Sequence, residues 1–229
     1  MESERAASRV STGIPPLDSL LGGGLERRVI TQFYGEPGCG KSTLAIIAAV
    51  ERLRAGESVI YLDTEGFSVE RFRQVAGDRA EDLARNLFLS EPLDFEQQGL
   101  MIAESERLLQ KGGVGLIVLD SATALYRTEL TSGREAQRKL ARQLIYLLGL
   151  AKRYNIPILV TNQVYMDVTR NVATGLGGTT MAHLSKAIVR LEGSEGIRTA
   201  ILEKHRSRPQ GGSFSFELTG DGVRARETP

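Results

Sequence analysis

The chain has 229 residues, 41% of them hydrophobic, enough to fill one core, so residues 11–229 read as a single domain behind a short polar tail, residues 1–10. No apolar run reaches membrane-spanning length and the N-terminal MESERAASRV lacks the apolar stretch of a secretory signal, which predicts a soluble, cytoplasmic protein with no membrane partner. The one cysteine excludes an internal disulfide and a multi-cysteine metal centre, and the formal net charge of +1 requires any nucleic-acid contact to come from a local cluster.

Val29–Tyr34 reads as a buried strand, and Thr43–Val50 opens a helix that runs to about Arg54. Between them Gly35, Glu36, Pro37, Gly38, Cys39, Gly40, Lys41, Ser42 and Thr43 match the phosphate-binding pattern GxxxxGKS/T at every fixed position. The glycines let backbone N–H groups turn toward phosphate oxygens, and the helix adds the positive end of its dipole. Lys41 then reaches the β- and γ-phosphates and Ser42 a Mg²⁺ ion, which makes ATP-type nucleotide binding the first expectation. Cys39 serves the loop mainly through its backbone, although Lys41 and the helix N-terminus could lower its pKa.

Strand-length runs then alternate with helical patterns: Val59–Leu62, a helix near Val69–Val75, Asn86–Leu89, a helix from about Asp94 to Gln110, and Gly115–Leu119. This predicts an α/β fold with a mostly parallel sheet covered by helices on both faces. A long helix, about Arg134 to Tyr154, carries Ala136, Leu140, Leu144, Leu147, Leu148 and Ala151 at spacings of three and four as its core face, and Ile156–Val160 is a further buried strand. The loop from about Tyr165 to Thr180 is read as the mobile segment. Beyond it, Ala187–Leu191, Arg198–Leu202 and Ser213–Leu218 read as antiparallel strands that extend the sheet.

Strand ends supply the chemistry that the loop needs. Gly115–Asp120 is an apolar strand closing on a carboxylate, where a Mg²⁺ shell requires an acid. Val59–Glu65 offers two more acids, and Glu65 could deprotonate the attacking water; Asp63 is its competitor on the same face, and spacing alone does not separate them. Gln163 ends its strand and opens the mobile loop, where an amide could either sense the γ-phosphate or simply satisfy the strand end. Arg134, Arg138 and Arg142 recur every four residues, with Lys139 and Arg127 nearby, as either a solvated helix face or a track for a phosphate backbone. Tyr126 and Tyr165 could stack on bases or be packed, and His183 and His205 have no metal-ligand partners at useful spacing.

Together STGIPPLDSLLGGGL, the phosphate loop, VIYLDTEGFSVERF, GLIVLDS, PILVTNQV and EKHRSRPQG resemble the RecA-type recombinase core, and within it the archaeal paralogue branch, from about Ser11 to Arg224. DTEGFSVERF is the most discriminating segment, because the phosphate loop is shared by many NTPases. The resemblance implies a RecA-like P-loop NTPase core with an antiparallel C-terminal extension. It implies Glu65 rather than Asp63 as the base, Asp120 as the metal-side acid, Gln163 as the sensor and Arg71 near the adenine. It also implies a homo-oligomer with ATP between protomers, where Lys204 and Arg206, two apart and therefore facing one way, reach across. It further implies that DNA, single-stranded or branched, is held near the loops after Asp120 and Gln163, with Arg127, Arg134, Arg138, Arg142 and Arg170 as the expected contacts.

Only about ten residues precede the core, none aromatic, and the loop after Gln163 carries Arg170 as its only basic residue. The expectation is therefore a weak, DNA-associated ATPase that assists repair and recombination without strand exchange of its own, with a RadA-type recombinase or a Holliday-junction resolvase as partner. The alternatives are an ATP-gated adaptor with incidental hydrolysis and a KaiC-like signalling ATPase, since TGIPPLDSLLGGGL opens such proteins too.

Overall fold

The computed structural model describes residues 9–167, 172–193 and 196–226. A short antiparallel ribbon, β1 (Arg9–Val10) with β2 (Leu25–Glu26), brackets helix α1 (Pro15–Leu21). Prolines start that helix where a missing N–H costs nothing. Asp18 ties the preceding turn by accepting from Ser11 Oγ, Thr12 N and Thr12 Oγ1 at 2.7–2.8 Å.

Strand β3 (Ile30–Gly35) leads through the glycine-rich loop into α2 (Lys41–Arg54), and β4 (Ser58–Asp63) follows. Two helices, α3 (Val69–Ala76) and the short α4 (Ala80–Ala84), connect to β5 (Leu87–Ser90), and α5 (Phe95–Gln110) to β6 (Val114–Asp120). Helix α6 (Arg134–Tyr154) precedes β7 (Ile158–Asp167), on whose far end β8 (Val172–Gly175) folds back antiparallel. After α7 (Gly178–Leu184) come β9 (Ser185–Glu192), β10 (Arg198–His205), β11 (Ser213–Leu218) and β12 (Val223–Arg226).

The main sheet runs β12-β11-β10-β9-β3-β7-β6-β4-β5. Neighbours from β9 to β5 are parallel, whereas β9 to β12 pair antiparallel, so the mixed RecA-like sheet and its antiparallel extension are both as the sequence predicts. Strand alternation sends Phe33, Tyr61, Val118 and Leu159 into one core with Leu44 and Ala48 of α2 and Phe72 of α3. The intervening Ile60, Leu62, Ile117, Leu119 and Val160 enter a second core with residues of α5 and α6. Burial on both faces is why β4 and β6 are nearly continuous apolar runs.

Several boundaries depart from the sequence reading. Helix α2 starts at Lys41, and β7 starts only after Pro157, which has no N–H for the ladder. Leu150 rather than Leu148 completes the buried face of α6; Leu148 is half-buried beside it. Much of the segment read as mobile forms the end of β7, β8 and α7, while residues 168–171, Arg170 among them, lie outside the described residues. Among the described residues no helix is long and apolar enough to cross a membrane.

Candidate functional site

The parallel strands bring their C-terminal ends to one edge, where register aligns Gly35 with Gln163 and Asp63 with Asp120. In an open α/β sheet that edge is where ligands bind. Gly35 leaves β3 so close to its neighbour that a Cβ there would lie 2.2 Å from the Leu191 carbonyl oxygen. Gly40, with φ of 101°, takes the left-handed conformation that turns the loop into α2, and α2 has neither a side-chain cap nor an acid in its first turn. Its first N–H groups are thus left for an anion.

Lys41 is nearly buried and folds across the loop, its ammonium donating to the carbonyls of Gly35 and Glu36 at 2.9 Å each. Ser42 Oγ donates to Asp120 Oδ1 at 3.2 Å. The same carboxylate accepts from Thr161 Oγ1 at 2.5 Å and, through its other oxygen, from Tyr61 OH at 2.7 Å. Burial pushes the Asp120 carboxyl above its ordinary range, and these three hydroxyls pull it back toward ionisation. A hydroxyl and a carboxylate side by side behind a phosphate loop are the oxygen donors that Mg²⁺ takes, with phosphate and water supplying the rest. The Ser42–Asp120 pair thus fits a nucleotide-borne Mg²⁺; among the described residues there is no group of three or more His, Cys, Asp or Glu that could hold a metal ion.

The two acids of β4 are separated by their surroundings. The strand ends at Asp63, whose buried carboxylate accepts from the Gly66 N–H at 2.7 Å and closes a turn. Glu65, in that turn, is exposed. Gln163 is not a strand end, because β7 continues to Asp167; the Gln163 N–H meets Thr123 Oγ1 at 3.3 Å and its carbonyl accepts from Leu176 N at 2.8 Å. Arg71, on the first turn of α3, donates to the Thr219 carbonyl at 2.6 Å and so pins that helix to the β11–β12 turn beside α2. Cys39 is fully buried and burial raises its thiol pKa, with nearby Lys41 too weak a counterforce, which agrees with a small residue serving the loop rather than a lowered thiol pKa.

Lys204 and Arg206 do not face one way. Strand β10 ends at His205, so its alternation does not carry from Lys204 to Arg206. Lys204 caps the end of α7 through the carbonyls of Ala182 and Ser185, while Arg206 pairs with Glu26. Since β10 runs antiparallel to β9, both lie at the edge of the sheet opposite the phosphate loop of their own chain.

Arg127, Arg134, Arg138 and Arg142 are all exposed, and Lys139 is paired with Glu129 at 3.2 Å. Tyr126 is packed in the core against Phe95, with ring centroids 5.8 Å apart, so it offers no stacking face; Tyr165 is 45% exposed.

Three contributors escaped the sequence reading. Tyr61 and Thr161 hold Asp120, and a tyrosine in an otherwise aliphatic buried strand was the available signal, since its hydroxyl must find a partner. Arg198, whose Nε donates to the Gly38 carbonyl at 3.2 Å, reaches the loop from β10 and carries no local sequence signal.

The Rad51 family model matches residues 4–224. The chain is 65% identical over 218 residues to the DNA repair and recombination protein RadB of Methanoculleus marisnigri, covering 94% of this chain and 97% of that protein. It is 43% identical to the RadB of Methanococcoides burtonii, covering 91% and 94%, and 42% identical to that of Archaeoglobus fulgidus, covering 93% and 97%. With its phosphate loop, its Ser42–Asp120 pair and its mixed sheet, the chain belongs to the Rad51 family, in the archaeal RadB branch.

Proposed function

We propose that this protein binds Mg²⁺-ATP at the phosphate loop and DNA along α6, and that it assists repair by homologous recombination as a weak ATPase. It carries out no strand exchange of its own and acts on a RadA-type recombinase or on the cleavage of branched DNA. The observation that carries the reading is the Ser42–Asp120 contact behind the loop, with Asp120 held by Tyr61 and Thr161. The names of the relatives, DNA repair and recombination proteins, support the biological role.

Bound Mg²⁺ would neutralise charge on the transferred phosphoryl group. Lys41 leaves the Gly35 and Glu36 carbonyls for the β- and γ-phosphates, and Ser42 and Asp120 hold the metal side. Glu65, exposed beyond β4, takes the proton of the attacking water, because Asp63 is committed to its turn. Gln163, level with Gly35, passes the state of the γ-phosphate to the β7–β8 hairpin, and Arg71 borders the adenine. Turnover is weak because Lys204 and Arg206 lie too far from the loop of their own chain, which makes hydrolysis wait for a neighbour.

Steady-state ATP hydrolysis with and without single-stranded DNA tests this: slow turnover with little stimulation is expected, and strong DNA-stimulated turnover overturns the accessory role. The exposed position of Glu65 also favours a second reading, an ATP-gated adaptor whose hydrolysis is incidental. In that case Glu65→Gln leaves repair in cells intact while Lys41→Ala abolishes it.

A further inference from the structure

At the end of the sheet opposite the phosphate loop, a groove of about 370 Å³ is lined by Arg27, Arg28, Leu148, Lys152, Lys186 and Arg206. Its one carboxylate, Glu26, is buried and already taken by Arg9 and Arg206. Arg27 is tied to the Asn155 carbonyl at 3.0 Å and to Glu57 at 3.7 Å, and Lys186 donates to the His183 carbonyl at 3.2 Å. Arg28 and Lys152 are exposed, and their side chains show neither an ion pair nor a hydrogen bond among the described residues. Arg28 also holds φ of 69°, a left-handed backbone conformation that most residues with a side chain avoid.

This groove is continuous with the outer face of α6. The helix carries six cations (Arg134, Arg138, Lys139, Arg142, Lys152 and Arg153) against one carboxylate, Glu135, in a chain whose net charge is only +1. At 3.6 residues per turn, Arg134, Arg138, Arg142 and Lys152 fall within about a quarter turn of one another. Between Arg142 and Lys152 that face presents Ile145, 56% exposed, and Gly149, above which nothing lies within 4 Å, so no acid interrupts the row. From Arg134 to Lys152 the rise is about 27 Å, roughly eight phosphate steps of a B-form strand.

We propose that the groove is a second phosphate-backbone site, and that one nucleic acid runs the length of α6 from Arg134 into it. This rests on the reading of α6 as the DNA-binding face. A phosphodiester backbone is favoured over an acidic protein segment because the three arginines recur about 6 Å apart, with Lys152 on the same face about 15 Å beyond the last, and guanidinium forks match phosphate oxygens.

The test measures binding by fluorescence anisotropy across a salt series, on single-stranded and duplex oligonucleotides long enough to span the helix. Arg28→Gln with Lys152→Gln is compared with Arg134→Ala, Arg138→Ala, Arg142→Ala. Loss of two phosphate contacts lowers the slope of log K against log salt by about 1.4 on single strands and about 1.8 on duplex, and whichever substrate shows it is the form bound. The groove variant also occludes fewer nucleotides on poly(dT). An unchanged slope and site size, the outcome if an acidic protein is the true occupant, overturns the groove while leaving α6 standing, provided the arginine variant still weakens binding. If neither variant weakens binding, both readings fall. Thermal melts check folding, and Lys152→Gln alone, at an exposed helix position, serves should Arg28→Gln not fold, with half the slope change expected.

Discussion

Asp63 and Glu65 are two residues apart, yet the fold gives them opposite environments. Burial pushes the Asp63 carboxyl from 3.8 up to about 6, only partly offset by the Gly66 N–H that it accepts. Its folded pKa therefore exceeds that of the unfolded chain, and the folded state binds more protons between about pH 4 and pH 6. Stability then falls as pH rises through that window, and the penalty is complete above it. Asp63→Asn keeps an acceptor for Gly66 and removes the charge. In metal-free buffer it should stabilise the protein at pH 7.5 by about 1–2 kcal/mol, with the gain gone near pH 4. Chemical denaturation at the two pH values checks this, and an equal gain at both would mean that desolvation of this carboxylate is not the cause.

At the scale of elements, what the sequence made legible was what local pattern determines. Strand–glycine loop–helix spacing located the phosphate loop, and largely apolar runs located β3, β4, β6 and the start of β7. The pieces that were not legible depend on partners distant in sequence: Tyr61 and Thr161 converge on Asp120 only once β4, β6 and β7 are side by side. Helix α7 and strand β8 are short, and the glycines around them read as loop. The end of β10 at His205 likewise leaves no trace in the spacing that paired Lys204 with Arg206. On α6, three- and four-residue periodicity fixed the apolar face to within one position, with Leu148 standing in for Leu150. That difference has a measurable consequence. Leu144, 1% exposed, should cost about 2–5 kcal/mol on truncation to alanine. Leu148→Ala, at the half-buried rim, should cost less than half as much, as read by urea denaturation. Equal costs would mean that the helix is rotated from the position described.

Across the whole molecule, the phosphate loop and the Lys204–Arg206 segment occupy opposite edges of one sheet. Ala187 pairs with Thr31 and His205, while Leu191 pairs with Gly35, so about 13 Å of strand separates the two levels. Neither cation can serve its own chain's nucleotide without dismantling β10. If they serve any nucleotide, it is that of a neighbour in a head-to-tail arrangement, whose interface joins two different surfaces. Two inactive variants then become complementary. Lys41→Ala lacks a working loop but presents intact Lys204 and Arg206, whereas Lys204→Ala with Arg206→Ala has the loop and lacks the cations. In an equimolar random mixture, half the protomers supply the loop and half the cations, so one interface in four is complete. ATP hydrolysis by the mixture should approach about a quarter of the wild-type rate, while each variant alone stays near background. A mixture as inactive as its components would place the catalytic cations elsewhere, with Arg198, already on the loop in the same chain, the next to replace.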